Sequence, residues 1–263
     1  MILGLIEGVT EFLPVSSTGH LLLAEQWLHP AVAKTDLFNI VIQSGAMLAV
    51  LLVFSRKAAD LLKNNSEPRT RDYLLKLALA FGITAVGGLF LKKVLHLKLP
   101  ETAVPVALAT LIGGLIILAI ERSLRSKTTT TEIAWSVAWM VGGAQLLAAV
   151  FPGTSRSGAC ILFALLLGVA RPAATEFSFL VGIPTLLAAS GWEILSSLRH
   201  GERLTSSDWG LVGLGSATAA VSAFLVVRWL LRFVQSHTFV GFGYYRIFLG
   251  SLILVLAKLK MVS

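Results

Sequence analysis

Charge is scarce in this chain of 263 residues: Asp, Glu, Lys and Arg together make up 14%, against 56% hydrophobic residues, and the mean hydropathy is +0.81. That balance excludes an ordinary soluble domain and predicts a polytopic membrane protein whose solvent is the bilayer. Cysteine is nearly missing. Cys160 stands alone, which excludes an intrachain disulfide and a multi-cysteine metal site and leaves the redox compartment unread. No basic n-region follows Met1, and Glu7 and Glu11 interrupt the first apolar stretch, so a cleaved signal peptide is not expected. The absence of any G-x-x-x-x-G-K-[ST] excludes a P-loop nucleotide site.

What is there is a set of apolar runs of about 20 residues, the length a spanning helix needs, near 36–54, 73–95, 102–120, 177–197, 210–233 and 241–260. Six spans are expected. The net charge of +8 lies mostly in short connections, where lipid headgroups explain it better than nucleic acid does. Arg56, Lys57, Lys63, Arg69, Arg71 and Lys76, with Arg122, Arg125, Lys127, Arg228 and Arg232, put eleven basic residues on one side. Lys92, Lys93, Lys98, Arg199, Arg203, Lys258 and Lys260 put seven on the other. The weak excess assigns the first side to the cytoplasm.

Two stretches, 1–30 and 133–172, do not read as simple spans: each has an apolar arm, a Pro-containing hydroxyl-rich break and a second apolar arm. LGLIEGVTEFLPVSSTGHLLL and VGGAQLLAAVFPGTSRSGACIL align with Pro14 over Pro152, an offset of 138, placing Gly4 over Gly142 and Glu7 over Gln145. If each break is a re-entrant helix–loop–helix, each half holds three spans and the second enters the membrane inverted. The expected architecture is therefore an all-α integral membrane protein of one domain. It has about six transmembrane helices and two re-entrant segments, in inverted-repeat halves of approximately 1–132 and 133–263. Such repeats bring broken helices to a shared site near the midplane.

The breaks carry the chemistry. Glu7 and Glu11, four apart, share one helix face, and carboxylates at bilayer depth cost about 2.5–3.5 kcal/mol each on insertion scales. They can bind a hard cation such as Mg2+ or Ca2+ through oxygen, share a proton, act as a general base, or be satisfied by neighbouring hydroxyls or an arginine. Ser16, Ser17 and Thr18 follow as donors or nucleophiles, with Gly19 for close backbone approach and His20 three residues from Ser17 as a proton-transfer group. In FPGTSRSG, Gly153, Thr154, Ser155, Arg156 and Ser157 make an anion cradle at a helix start. Carboxylates and histidine from one half and an arginine with hydroxyls from the other suit phosphoryl transfer. Lipid phosphatases related to vanadium haloperoxidases are excluded, because Leu162 stands where they require a histidine.

With these motifs, the chain closely resembles the bacterial undecaprenyl-diphosphate phosphatase family, also called BacA or UppP. The family's E/Q-x-x-x-E block running into F-L-P-V-S-S-T-G-H is present from Glu7 to His20, fourteen residues. Its P-G-x-S-R-S-x-x-T block reads PGTSRSGAC from Pro152 to Cys160, with Cys160 in place of the last Thr. IQSGAMLAVL, EFSFLVGIP and YYRIF extend the likeness along the whole chain. Only six residues precede Glu7, so the first re-entrant arm is short.

The resemblance implies hydrolysis of undecaprenyl diphosphate to undecaprenyl phosphate and inorganic phosphate. It also implies recycling of the lipid carrier for cell-wall synthesis, bacitracin resistance and dependence on a divalent cation. The expected setting is the bacterial cytoplasmic (inner) membrane, with the site open to the extracytoplasmic face, and a homodimer is an expectation from the family. By position, Glu7 and Glu11 would bind metal and act as base, and Ser17 would attack or contact phosphate. His20 would donate a proton or activate the attack, and Arg156 would clamp the diphosphate. Ser16, Thr18, Gly19, Gly153, Thr154, Ser155 and Ser157 would complete the phosphate site. Asp36 and Glu176 read as helix N-terminal acids, and Arg246 as the partner of a buried acid. The rival is a lipid-phosphate transporter or flippase using the same anion site, which has no evident need for Ser-x-x-His beside two carboxylates.

Overall fold

The computed structural model describes residues 1–28, 35–93, 102–124, 128–199 and 206–262. Among the described residues there is no strand, only an isolated bridge between Thr130 and Val169. The helices are α1 (Ile2–Thr10), α2 (Ser17–Leu28), α3 (Thr35–Val53), α4 (Ser55–Lys63), α5 (Pro68–Lys93), α6 (Ala103–Leu124), α7 (Trp135–Val150), α8 (Arg156–Leu166), α9 (Arg171–Arg199), α10 (Ser206–Phe233) and α11 (Val240–Lys258). Five of them, α5, α6, α9, α10 and α11, are long and apolar enough to cross a membrane. Counting α3 with α4 as one span, bent by 63°, gives six.

The apolar runs thus become helices close to where the sequence predicts them, and the differences have local causes. The connection 55–76 is not a loop: most of it is α4 and the first turns of α5. Pro68 opens α5, where its missing N–H costs nothing. Lys57 pairs with Glu176 at 3.2 Å, and Lys76 bonds Asp72 and lies 5.5 Å over the Trp135 ring. Glu176 is therefore an ion-pair partner five residues inside α9, not an acid of its first turn, whereas Asp36 does sit at the start of α3. The helix α9 begins at Arg171, six residues before the expected span, because buried Glu121 of α6 takes the Arg171 guanidinium. Of the loop cations read from sequence, Lys98, Arg125, Lys127 and Arg203 lie outside the described residues.

Apart from α4, which continues the bent span of α3, four helices are too short to cross a hydrocarbon layer of about 30 Å. At 1.5 Å per residue, α1, α2, α7 and α8 reach from about 14 to about 24 Å. They form two helix–break–helix pairs, α1/α2 and α7/α8. Small residues let the arms lie against long helices: α1 packs on α10, where a Cβ at Gly4 would stand 2.3 Å from the Gly215 carbonyl oxygen. Correspondingly, α7 packs on α5. The helices α6 and α11 lie along each other, α3 packs on α10 and α9, and α5 on α9. Phe12, from the first break, is fully buried edge-on to Phe179 of α9, with centroids 5.4 Å apart, so the core fastens directly onto the break.

Candidate active site

The two breaks share a backbone device. Ser16 (φ 71°) and Ser155 (φ 66°) both adopt the left-handed region, immediately before the first residues of α2 and α8. Each caps its helix: Gly19 N–H donates to Ser16 Oγ at 3.4 Å and Gly158 N–H to Ser155 Oγ at 3.2 Å. The two capping serines are 139 positions apart, so the caps correspond one residue out of the register that aligns the prolines. Ser17 thereby corresponds to Arg156 as the residue opening its helix. In the second break the chain turns on Gly153 (φ 96°), where a Cβ would stand 2.3 Å from the Val106 carbonyl oxygen.

Glu11 is the hinge of the site. One carboxylate oxygen, Oε2, accepts the Ser17 hydroxyl at 2.7 Å. The other, Oε1, accepts Arg156 Nη2 at 2.9 Å across 145 residues of chain. Room for that guanidinium is made by Gly182 of α9, where a Cβ would lie 2.4 Å from Arg156 Nη1. Arg156 Nε is buried without a hydrogen-bond partner. Glu7, one turn before Glu11, is 1% exposed, and both its carboxylate oxygens lack a hydrogen-bond partner. Gln43 and Glu11 face it without reaching hydrogen-bonding geometry.

The hydroxyls of the second break are turned onto the first. Ser157 Oγ donates to the Glu11 carbonyl at 3.1 Å and the Leu13 carbonyl at 3.2 Å, and Ser155 Oγ to that of Leu13 at 3.4 Å. These serines sew the breaks together. Thr18 is exposed beside Ser17, and Thr154 is half-buried. Cys160 keeps a weak contact from Sγ to the Val141 carbonyl at 3.8 Å. Gln145, which the aligned prolines set over Glu7, donates to Thr84 Oγ1 at 2.9 Å. The carboxylate chemistry therefore sits on the first break alone.

Arg246 corrects a sequence-based expectation. Its guanidinium, 1% exposed, has no acid partner among the described residues. It donates to carbonyls of both breaks, Pro14 at 3.4 Å, Thr154 at 2.8 Å and Gly153 at 3.0 Å. It also donates to Thr110 at 3.0 Å and Ala109 at 3.2 Å of α6. A buried arginine paired only with dipoles leaves net positive charge behind the cradle, which favours an anion. His20 does not reach Ser17's hydroxyl as an activating base would. Its Nδ1 faces the Ser16 carbonyl at 2.7 Å and its Nε2 the Tyr245 hydroxyl at 2.6 Å. Tyr245 is the residue sequence reasoning missed; the polar YYR triplet inside the last apolar run is the signal that marks it.

The cluster holds a hydroxyl on a carboxylate, a guanidinium on the same carboxylate and a second, unpartnered carboxylate. Among the described residues no group of three His, Cys, Asp or Glu side chains gathers to hold a metal. The donors present still fit a hard cation of the kind that takes one or two carboxylates and completes its shell with phosphate oxygens and water, because Glu7's buried oxygens are orphaned.

The family model described as bacitracin resistance protein BacA matches residues 1–252. The undecaprenyl-diphosphatase of Rhizobium leguminosarum bv. trifolii is 50% identical over 263 residues, which covers 100% of this chain and 97% of that protein. The undecaprenyl-diphosphatase of Xylella fastidiosa is 48% identical over 255 residues, 97% of this chain and 96% of that protein. That of Xanthomonas campestris pv. campestris is 46% identical over 256 residues, 97% of this chain and 95% of that protein.

Proposed function

Because the chain belongs to the bacitracin resistance protein BacA family and matches undecaprenyl-diphosphatases along its length, we propose that it hydrolyses undecaprenyl diphosphate to undecaprenyl phosphate and inorganic phosphate. The observation that carries the site assignment is Glu11, which accepts the Ser17 hydroxyl while Arg156 from the other break orients it.

In this mechanism Ser17 Oγ attacks the terminal phosphorus and its proton passes to Glu11. The Oγ–P bond forms as the bridging P–O bond breaks, and undecaprenyl phosphate leaves. Water then attacks the phosphoserine, restoring the Ser17 hydroxyl and releasing phosphate. Arg156 turns its free N–H groups to the diphosphate oxygens and offsets the charge that develops on them. The positive end of α8 and the field of Arg246 act in the same direction.

A divalent cation, Mg2+ or Ca2+, would be held by Glu7 with Glu11. When bound it would neutralise phosphate charge. The two short helix pairs support re-entrant segments, and the matched cap serines support an inverted repeat that brings both breaks to one depth. The protein would then work in the bacterial inner membrane with the site open to the extracytoplasmic face.

The test is phosphate release by the detergent-purified protein from a long-chain prenyl diphosphate, with and without EDTA. Ser17→Ala, Glu11→Gln and Arg156→Ala are each expected to abolish it. A Ser17→Ala variant with the full rate would shift the attack to water. No release by folded wild-type protein with any cation would overturn the reading and leave lipid transport in its place.

A further inference from the structure

His20 is held at both ring nitrogens. A carbonyl oxygen only accepts, so the 2.7 Å contact of Nδ1 with the Ser16 carbonyl places a proton on Nδ1. The neutral ring then carries its lone pair on Nε2, and the hydroxyl 2.6 Å away on Tyr245 donates to it. The two rings are nearly parallel, 8° apart with centroids at 5.6 Å. Ser17 and His20, three apart on α2, share a helix face, so the imidazole stands one turn from the hydroxyl that Glu11 holds. Tyr245 comes from α11 and is followed by Arg246, whose guanidinium is fastened to both breaks. The tyrosine is therefore delivered to His20 by the same helix register that closes the site.

We propose that Tyr245 is a positioning residue of this site, acting through His20: it holds the Nε2 lone pair of the tautomer that the Ser16 carbonyl sets, and it is the group through which His20 exchanges its proton. With Nδ1 committed to the Ser16 carbonyl, only Nε2 is left to gain or lose a proton, and the Tyr245 hydroxyl stands on it. As a protonated Nε2–H gives its proton to the Tyr245 oxygen, Tyr245 passes its own hydroxyl proton to water or to a phosphate oxygen. The phenol is thus neutral before and after. Charge moves from His20 to the acceptor, with no further reactant needed. Tyr245 is 43% exposed against 1% for Arg246, and its bond to His20 is itself exposed, so the protein does not wall the hydroxyl off from such an acceptor. A purely structural contact would tie α2 to α11 without this consequence.

Two independent measurements test it. In protein labelled with 15N-histidine, with the His20 resonances identified by their loss in His20→Gln, the wild type is expected to show a protonated Nδ1 and a hydrogen-bonded Nε2. Tyr245→Phe is expected to move the Nε2 signal to that of a free lone pair and to leave Nδ1 in place. An Nε2 that is free in the wild type, or unmoved in the variant, overturns the proposal. In the kinetic arm, which rests on the phosphatase reading, Tyr245→Phe is expected to lower kcat about ten- to hundredfold, within the range of proton-transfer catalysis, with KM within about twofold. The His20→Gln/Tyr245→Phe double variant is expected to be no slower than His20→Gln alone, since Tyr245 acts through His20. Unchanged kcat, or losses that multiply, overturns it. Failure of the phosphatase reading is separate: wild-type protein would then release no phosphate, and the NMR arm would decide.

Discussion

Arg246 and Gly153 are 93 residues apart in the chain, and Arg246 Nη2 donates to the Gly153 carbonyl at 3.0 Å. The same guanidinium holds Pro14 and Thr154, so a single side chain of the last helix sets the relation between the two breaks. Arg246→Met keeps the side chain's length and apolar stem but removes the guanidinium bonds from five carbonyls. Bonds to charged groups contribute about 1.5–3 kcal/mol each and are not additive, so a loss on the order of 3 kcal/mol is expected, read as a lower thermal midpoint in detergent. Arg246→Lys keeps the charge but cannot span carbonyls on both breaks and α6 with one ammonium. It is expected to lose at least about tenfold in phosphate release, and wild-type activity in Arg246→Lys would show that the charge alone suffices.

Gly182→Ala addresses Arg156 without touching it. The new Cβ would stand 2.4 Å from Arg156 Nη1, the end of a flexible side chain, so the guanidinium moves rather than the helix. Stability is expected to change little. The Glu11 contact at 2.9 Å is lost or lengthened, and displacement of a catalytic group by about 1 Å can cost about a hundredfold. A drop of at least about tenfold in kcat/KM is expected, with no further drop when Gly182→Ala is added to Arg156→Ala. An undiminished rate would mean that Arg156 works from a different rotamer.

The sequence makes the helices and the site's inventory legible, and the pairings much less so. Apolar runs of spanning length can only become helices in a bilayer, and Glu7, Glu11, Ser17 and Arg156 betray themselves as polar groups in apolar surroundings. The pairings depend on backbone carbonyls, which carry no residue type. Nothing in the letters around Arg246 says that its partners are Pro14, Gly153 and Thr154 rather than an acid. Ser155 and Ser157 read as phosphate ligands because their hydroxyls look free in sequence, whereas the fold turns them onto Leu13 and Glu11. The register between breaks is set by φ at Ser16 and Ser155, and aligned prolines miss it by one residue.

Those two serines yield an inverted order of substitution. In a helix interior Ala is more stable than Gly by roughly 1 kcal/mol. At Ser155, Ala loses the cap to Gly158, about 1 kcal/mol, and still has to hold φ 66°, a conformation that costs a residue with a Cβ about 1–2 kcal/mol. Gly loses the cap bond but not the backbone ease. The expected order of thermal midpoints is Ser155, then Ser155→Gly, then Ser155→Ala, with the same order at Ser16. Ala above Gly at both positions would show that the left-handed turn is not retained.

The last prediction separates the stability of the bundle from its chemistry. Glu121 of α6 is 2% exposed and accepts Arg171 Nε of α9 at 3.0 Å and the Phe239 backbone N–H, just before α11, at 2.8 Å. One carboxylate thus ties three helices at a point eleven residues along α6 from Thr110, about 16 Å at the helical rise. Glu121→Gln keeps the shape but weakens these bonds, including that from Arg171 Nη2 to the second carboxylate oxygen, and leaves Arg171 without its counter-charge. Because the Arg171 side chain is 26% exposed, solvent shares the cost, and about 2 kcal/mol is expected rather than the 3–5 kcal/mol of a fully buried pair. The thermal midpoint should fall by several degrees while kcat at low temperature stays within about twofold of wild type. If kcat fell as far as it does in Arg246→Lys, the distant tie would be setting the geometry of the breaks through α6, and fold and site would not be separable along that helix.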